Sequence, residues 1–398
     1  MILEIILACF IGILLGVICG LLPGIHINLV SIILFSASTY LLNIFSPIIL
    51  VISIVSMSIA QSFIDFIPSI FLGAPNEDTA LSVLPGHRML LEGNAYLAVK
   101  LTTIGGIFGI LIALALTPFL MWITPISYPY LIKIMPFILL LISFFLILNE
   151  EKIIFALFIF LLSGIFGFIV LNSPIIKEPL VPLFTGLFGI SLLSVSIFQK
   201  VSIPEQKISS LEISRKEISS ALRKSIFSSA LVSFLPGVGS SQAAIISSSF
   251  GKISEKGFLI LVGAVNVIVM ALSFVALYTI KKPRTGSAVI TGKLIASFSF
   301  NHLIICLAVC LFVAGISVFL SLFFAKNFAK WISRVNYSFL CGIIIFFICG
   351  LSILISGFTS LLVLLVGTAI GILCSELGVR KINLMGCLLI PVILYYLL

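Results

Sequence analysis

Four points in this sequence place polar or charged residues just after a proline in otherwise apolar surroundings. The first is Pro23-Gly24, followed by His26 and Asn28; the second is Pro75, followed by Asn76, Glu77, Asp78 and Thr79. The third is Pro236-Gly237, followed by Gly239, Ser240, Ser241 and Gln242; the fourth is Pro283, followed by Arg284, Thr285, Gly286 and Ser287. Proline removes a backbone donor and clashes with the preceding turn, while glycine permits positive φ, so each Pro-Gly pair should break a helix. A helix restarting after the break points free N–H groups and a positive dipole end at the gap, an arrangement that suits an anion. Arg284 can hold a carboxylate or phosphate oxygen in a two-pronged grip. These residues form the predicted substrate site: Pro23, Gly24, His26, Asn28, Asn76, Thr79, Pro236, Gly237, Gly239, Ser240, Ser241, Arg284, Thr285 and Ser287. Glu77 and Asp78 can coordinate Na⁺ or carry a proton, as can Asp65, a lone acid in the apolar run from Ser62 to Pro68. Asn266 is its rough counterpart later in the chain and completes the coupling-ion set. The competing readings are plain proline kinks, surface loops whose acids favour a helix N-terminus, and for Asp65 a satisfied core hydrogen bond.

Other chemistry finds little support. The eight cysteines lie inside apolar segments without a Cys-x-x-Cys pair, and only three histidines exist to help bind a metal. Cys306 and Cys310 would share a helix face, but they read as small packing residues. His87 and His302 lack a nearby nucleophile and read as capping or packing groups, and Glu4 as interfacial. No Ser/His or His/Glu/His spacing supports a hydrolase. Neither a catalytic residue nor a cofactor is expected, beyond a coupling Na⁺ or H⁺.

The elements that must position these residues follow from composition. Hydrophobic residues make up 61% and charged residues 9% of the 398, against about 25% charged in a soluble domain. Such a chain satisfies its backbone only as helices or a closed barrel in a bilayer. Apolar stretches such as 153–171, 258–280 and 306–325 reach the roughly 20 residues that span a membrane, and alternating strand patterns are absent. The first apolar segment follows Met1 with Glu4 and no basic flank, so it reads as a retained span rather than a removable signal. The formal charge of +9 is uneven: six of the 22 Lys and Arg lie in the first 200 residues. The polar stretch with Lys200, Lys207, Arg215, Lys216, Arg223 and Lys224 should therefore face the cytoplasm. These charges flank apolar spans and form no aromatic-interleaved patch, which argues against nucleic acid.

The chain also looks duplicated. Pro23-Gly24 and Pro236-Gly237 are 213 positions apart, Pro75 and Pro283 208, and Gly186 and Gly386 200, in the same order along the chain. This predicts a first transmembrane repeat over 1–200, a cytoplasmic linker over 201–224 and a second repeat over 225–398. Pieces 225–235 and 240–250 are each too short to span, which favours re-entrant hairpins and an inverted pair. The expected fold is an all-α polytopic membrane protein of about 10–12 transmembrane helices, broken or re-entrant at Pro-Gly motifs.

At these motifs the chain resembles the large membrane subunit of the tripartite tricarboxylate transporters (TctA-type permeases), especially a stand-alone prokaryotic, archaeal-like branch. The resembling stretches are Gly16 to Gly24, Gly73 to Arg88, Leu235 to Gly239, Lys282 to Ala288 and Gly378 to Val392. His26 departs from the Pro-Gly-x-Gly usual in the first repeat. The resemblance implies a cell-membrane permease that moves a small organic anion such as a carboxylate, driven by a cation or proton. It also implies a small membrane subunit and an extracytoplasmic binding protein as partners, besides the lipid bilayer. The alternative from another class is a polyprenyl-phosphate translocase with comparable re-entrant segments: a lateral apolar opening would favour the lipid, an aqueous cavity the soluble carboxylate.

Overall fold

The computed structural model describes residues 2–22, 27–75, 78–199, 203–208, 213–234, 239–249, 251 and 253–397. Pro23, Gly24, His26, Asn76, Glu77, Pro236 and Gly237 lie outside the described residues, as does the side chain of Asn28. Among the described residues every regular element is a helix, and eight helices are long and apolar enough to cross a membrane. The chain is a multi-pass membrane protein.

The first half comprises α1 (Ile2–Leu21), α2 (Ile27–Ser36), α3 (Ser38–Leu41), α4 (Pro47–Ile64), α5 (Phe66–Phe71), α6 (Val83–Leu91), α7 (Ala95–Leu148), α8 (Ile153–Leu171), α9 (Leu180–Phe184) and α10 (Ser191–Phe198). A single-residue hinge at Asp65 separates α4 from α5, and π-helical turns over Thr185–Ile190 join α9 to α10. The second half comprises α11 (Arg215–Val232), α12 (Ser240–Ser249), α13 (Glu255–Ile280), α14 (Gly286–Leu294), α15 (Phe300–Ile332), α16 (Tyr337–Ser356), α17 (Ser360–Glu376) and α18 (Gly386–Leu397), the last preceded by a 3₁₀ turn over Lys381–Met385.

Helix α13 is the axis of the molecule, buried along nearly its whole length. Small residues let its neighbours close on it. A Cβ added at Gly105 or Gly109 of α7 would strike the backbone at Ile260 or Ala264, and one at Gly263 would strike Thr102. The same device seats α1 on α4: Gly12, Gly16 and Gly20 recur every fourth residue and face Ser53, Met57 and Ile64 in turn. Without a hydrophobic drive between helices in lipid, close approach and dispersion supply the association. The outward faces carry large exposed apolar groups, among them Ile154, Phe346 and Leu354, where lipid would lie.

Direction along α13 defines two faces. Its start, Glu255, pairs with Arg88 just before α7, and segment 203–208 is bonded beside them (Lys207 N to Gly93 O, 2.8 Å). This is the linker face. At the other end Lys282 lies 5.3 Å above the Tyr128 ring, on the far face. Sequence pattern separates 95–122 from 131–148, yet α7 is helical throughout. Straight, its 54 residues would measure about 80 Å. Instead both ends reach one cavity on the linker face, lined by Arg88 and Asn149, while Tyr128 sits at the far face. The helix therefore runs out and back, turning where Pro118, Pro125 and Pro129 remove donors and force bends.

The short pieces around the Pro-Gly pairs form hairpins. Helix α1 starts at the far face, where Glu4 and Leu294 line the same small pocket, and descends until Gly20 meets Asp65. Helix α2 returns toward that face beside α14, with Lys293 5.4 Å above the Phe35 ring. Helices α11 and α12 enter from the linker face, tied by Ser228 to Ser247 and by Lys224 Nζ to Gly251 O at 2.9 Å. Residues 215–224 of the stretch read as linker form the first part of α11. A capping box, with Ser214 and Glu217 bonding each other's backbone N–H, starts the helix at Arg215.

Candidate functional site

Each break is held by a different local device. After α5, Gly73 takes φ +60°, which reverses the chain, and Ala74 N donates back to Pro68 O at 3.2 Å. Thr79 is then pinned: its carbonyl accepts from Ser82 N (2.9 Å), Ser82 Oγ (2.7 Å) and Ser69 Oγ (3.3 Å). This anchors the neighbouring Asp78, half-buried, where its carboxylate accepts from Ser240 Oγ at the first turn of α12.

The α12 terminus has an unusual cap. Ala243 N donates to Gly239 O, so Gly239 occupies the N-cap and offers no side-chain acceptor. Gln242 reaches back instead, its Oε1 accepting from Gly239 N at 2.6 Å, which is half of a capping box. Its Nε2 is buried without a hydrogen-bond partner among the described residues. Ser240, Ser241 and Gln242 are all buried, so this first turn lies inside the protein with the half-buried Asp78 carboxylate beside it.

The fourth break is built in the opposite way. The buried Ser273 Oγ of α13 accepts from Arg284 N (2.9 Å) and Thr285 N (2.8 Å), pulling the loop back from the far face into the bundle. Thr285 then caps α14 with its own hydroxyl, accepting from Ala288 N at 3.4 Å. Ser287, also buried, lies 3.2 Å from the Thr285 hydroxyl and 3.5 Å from Met270 Sδ. The Arg284 guanidinium comes within electrostatic reach of Tyr396 at the end of α18.

The predicted coupling residues sit between these regions. Asp65, 4% exposed, occupies the hinge between α4 and α5, where Pro68 cannot donate to the Ile64 carbonyl. Asn266 Nδ2 donates to Ser62 O at 3.3 Å, and Ser62 lies one turn before Asp65. Gln61, Ser62 and Asn266 are buried with it, and an acid inside a bilayer is a functional candidate by default. No group of three or more His, Cys, Asp or Glu that could hold a metal occurs among the described residues.

The breaks do not converge on one point. They pair crosswise: Asp78 of the first half meets Ser240 of the second, while α14 of the second half packs on α2 of the first. His302 caps α15, its Nδ1 accepting from Ser299 N at 3.1 Å. His87 packs against Tyr337, and burial pushes its imidazole down to about 4. All eight cysteines are free, in keeping with packing roles. Reading the sequence passed over Ser273, and also Glu150, which accepts from Arg380 Nε at 2.6 Å and Asn383 Nδ2 at 2.8 Å. Nothing local marks Glu150, whose partners lie more than 200 positions away in the chain.

Beside the Asp78–Ser240 contact, a cavity of about 780 Å³ opens at the linker face. Ala80, Leu81 and Pro85 wall it on one side, Gly251 and Glu255 on another, and Arg380 and Lys381 on a third.

Comparison with known proteins agrees with this architecture. The chain is 31% identical over 403 residues to the uncharacterized protein MJ1079 of Methanocaldococcus jannaschii, covering 98% of this chain and 99% of that one. No solved structure matches it significantly. The sequence profile of the tripartite tricarboxylate transporter TctA family matches residues 6–386, and with the broken, multi-pass helical bundle described above this places the chain in that transporter family.

Proposed function

We propose that this chain is the permease of a secondary active transport system for a small organic anion, a carboxylate, driven by protons, and that it is not an enzyme. The observation that carries the reading is the Asp78 carboxylate at the glycine-capped start of α12. A helix N-terminus in a dry interior attracts an anion through its unpaired N–H groups and dipole. Here the protein's own Asp78 carboxylate stands beside that terminus, bonded by the Ser240 hydroxyl. Protonation of Asp78 removes the internal negative charge beside the α12 terminus, so that a substrate carboxylate can take its place there. Substrate and proton then enter together, which is the stoichiometric link that a symporter requires.

The two hairpins supply the moving geometry. One hangs from the far face and the other rises from the linker face, as two halves of inverted topology would arrange them. In transporters of this plan substrate sites lie near the midplane between the halves, and access alternates by rocking one half against the other. The charged lining of the linker-face cavity supports a soluble anion over a polyprenyl phosphate. In keeping with the family's tripartite name, we include a small membrane subunit and an extracytoplasmic binding protein as partners; co-expression followed by co-purification tests them.

Reconstituted protein should accumulate one or more members of a panel of labelled mono-, di- and tricarboxylates when an inward proton gradient is imposed, and collapse of the gradient with a protonophore should release them. Gradient-independent flux of polyprenyl phosphate, with no carboxylate accumulated, would contradict the proposal.

A further inference from the structure

Lys381 begins the 3₁₀ turn that leads into α18, and its side chain is 5% exposed. Its Nζ donates to Ser191 Oγ at 3.0 Å, and the Ser191 hydroxyl proton is directed to Leu187 O at 2.6 Å. The ammonium therefore has one acceptor for three N–H donors. No carboxylate forms an ion pair with it among the described residues. The nearby Glu150 is already engaged by Arg380 and Asn383, and Glu255 by Arg88.

A buried ammonium without a counter-charge is among the most costly groups a protein can hold. Within a membrane protein such groups pair with other charges or backbone carbonyls, or mark a substrate pathway. Here the missing partner has room to enter, because Lys381 lines the linker-face cavity of about 780 Å³. That volume lies within the range of small-molecule sites. The paired Arg88 and Glu255 also line the cavity, and Arg380 lies next to Lys381, so the lining combines a buried cation with exposed charges.

We propose that Lys381 is the binding residue of an anion site in the linker-face cavity, one that takes a small carboxylate or a comparable oxyanion through its two free N–H donors. The proposal deepens the transport reading above and rests on it: the cavity is where the substrate stops at the linker face, next to the α12 terminus.

Binding to the purified full-length chain, measured without transport, tests this. Succinate, citrate and inorganic phosphate should each be titrated while thermal unfolding in detergent is followed. The wild type should gain Tm with at least one of them. In Lys381→Met the gain should vanish, or need at least tenfold more ligand, while the ligand-free Tm stays level or rises because an uncompensated buried charge has been removed. Lys381→Arg should retain part of the response. A carboxylate acting below phosphate assigns the site to the substrate class; equal responses assign it to oxyanions generally. An anion-induced gain of full size in Lys381→Met would overturn the proposal. Should that variant not fold, the wild type alone decides: acylation of Lys381, read by mass spectrometry, should slow severalfold in the presence of the anion, and an unchanged rate overturns the site. Protection at Lys381 without any uptake would contradict the transport reading alone, and uptake without protection would contradict this site alone.

Discussion

The starts of α12 and α14 are two solutions to one problem, a helix that begins inside a membrane. Helix α14 closes its own end: Thr285 caps it, and Ser273 of α13 accepts the N–H groups just upstream. Helix α12 does not, because Gly239 has no cap to offer, Gln242 is left with an unpaired Nε2, and the nearest anion is Asp78 from the other half. A capped terminus is a structural joint; an uncapped, buried one keeps its N–H groups for something else. The charges follow the same division, with the Asp78 carboxylate beside the open terminus and Arg284 beside the closed one.

The comparison can be broken by closing the open end. Gly239→Thr should give α12 the cap that α14 already has, and carboxylate uptake should fall tenfold or more while Tm is unchanged or slightly raised. Opening the closed end should act on stability instead. Ser273→Ala strands the backbone N–H groups of Arg284 and Thr285 in the interior, a loss of about 2 kcal/mol visible as a lower Tm. Thr285→Ala removes one cap and should lower stability by about 1 kcal/mol, with uptake per folded molecule close to wild type.

His87 sharpens the assignment of the proton to Asp78. Its imidazole, held down to about 4 by burial, stays neutral in the folded protein where the unfolded chain would already protonate. Its contribution to stability is thus fully present above about 6.5 and is lost progressively as pH falls toward 4. Unfolding followed between pH 7 and 4 should show this slope in the wild type and a shallower one in His87→Gln. The pH dependence of uptake above pH 5 should be the same in both.

Much of this was legible in the sequence. Apolar runs and Pro-Gly breaks announce the helices and hairpins because both signals are local, and the pairing of hairpin arms needs only chain proximity. The partnership of Asp78 with Ser240, 162 positions away, is not written in either neighbourhood. The same holds for Glu150 with Arg380 and Asn383, and for Lys381 with Ser191, where a lysine ahead of an apolar run reads as an ordinary flank. The doubling back of α7 was half visible: its prolines mark bends, but helical turns continue through residues such as Trp122, Ile123, Thr124 and Tyr128, only middling helix formers, because in a bilayer the backbone has no other partner.

The measurement that bears most directly on the proton-linked site is concentrative uptake by Asp78→Asn. Asparagine keeps an acceptor for Ser240 and removes only the charge, so it imitates a permanently protonated Asp78. The variant should exchange and equilibrate its carboxylate across the membrane at any pH, yet fail to accumulate it under an imposed proton gradient. Accumulation to the wild-type level, with the wild-type pH dependence, would contradict the account.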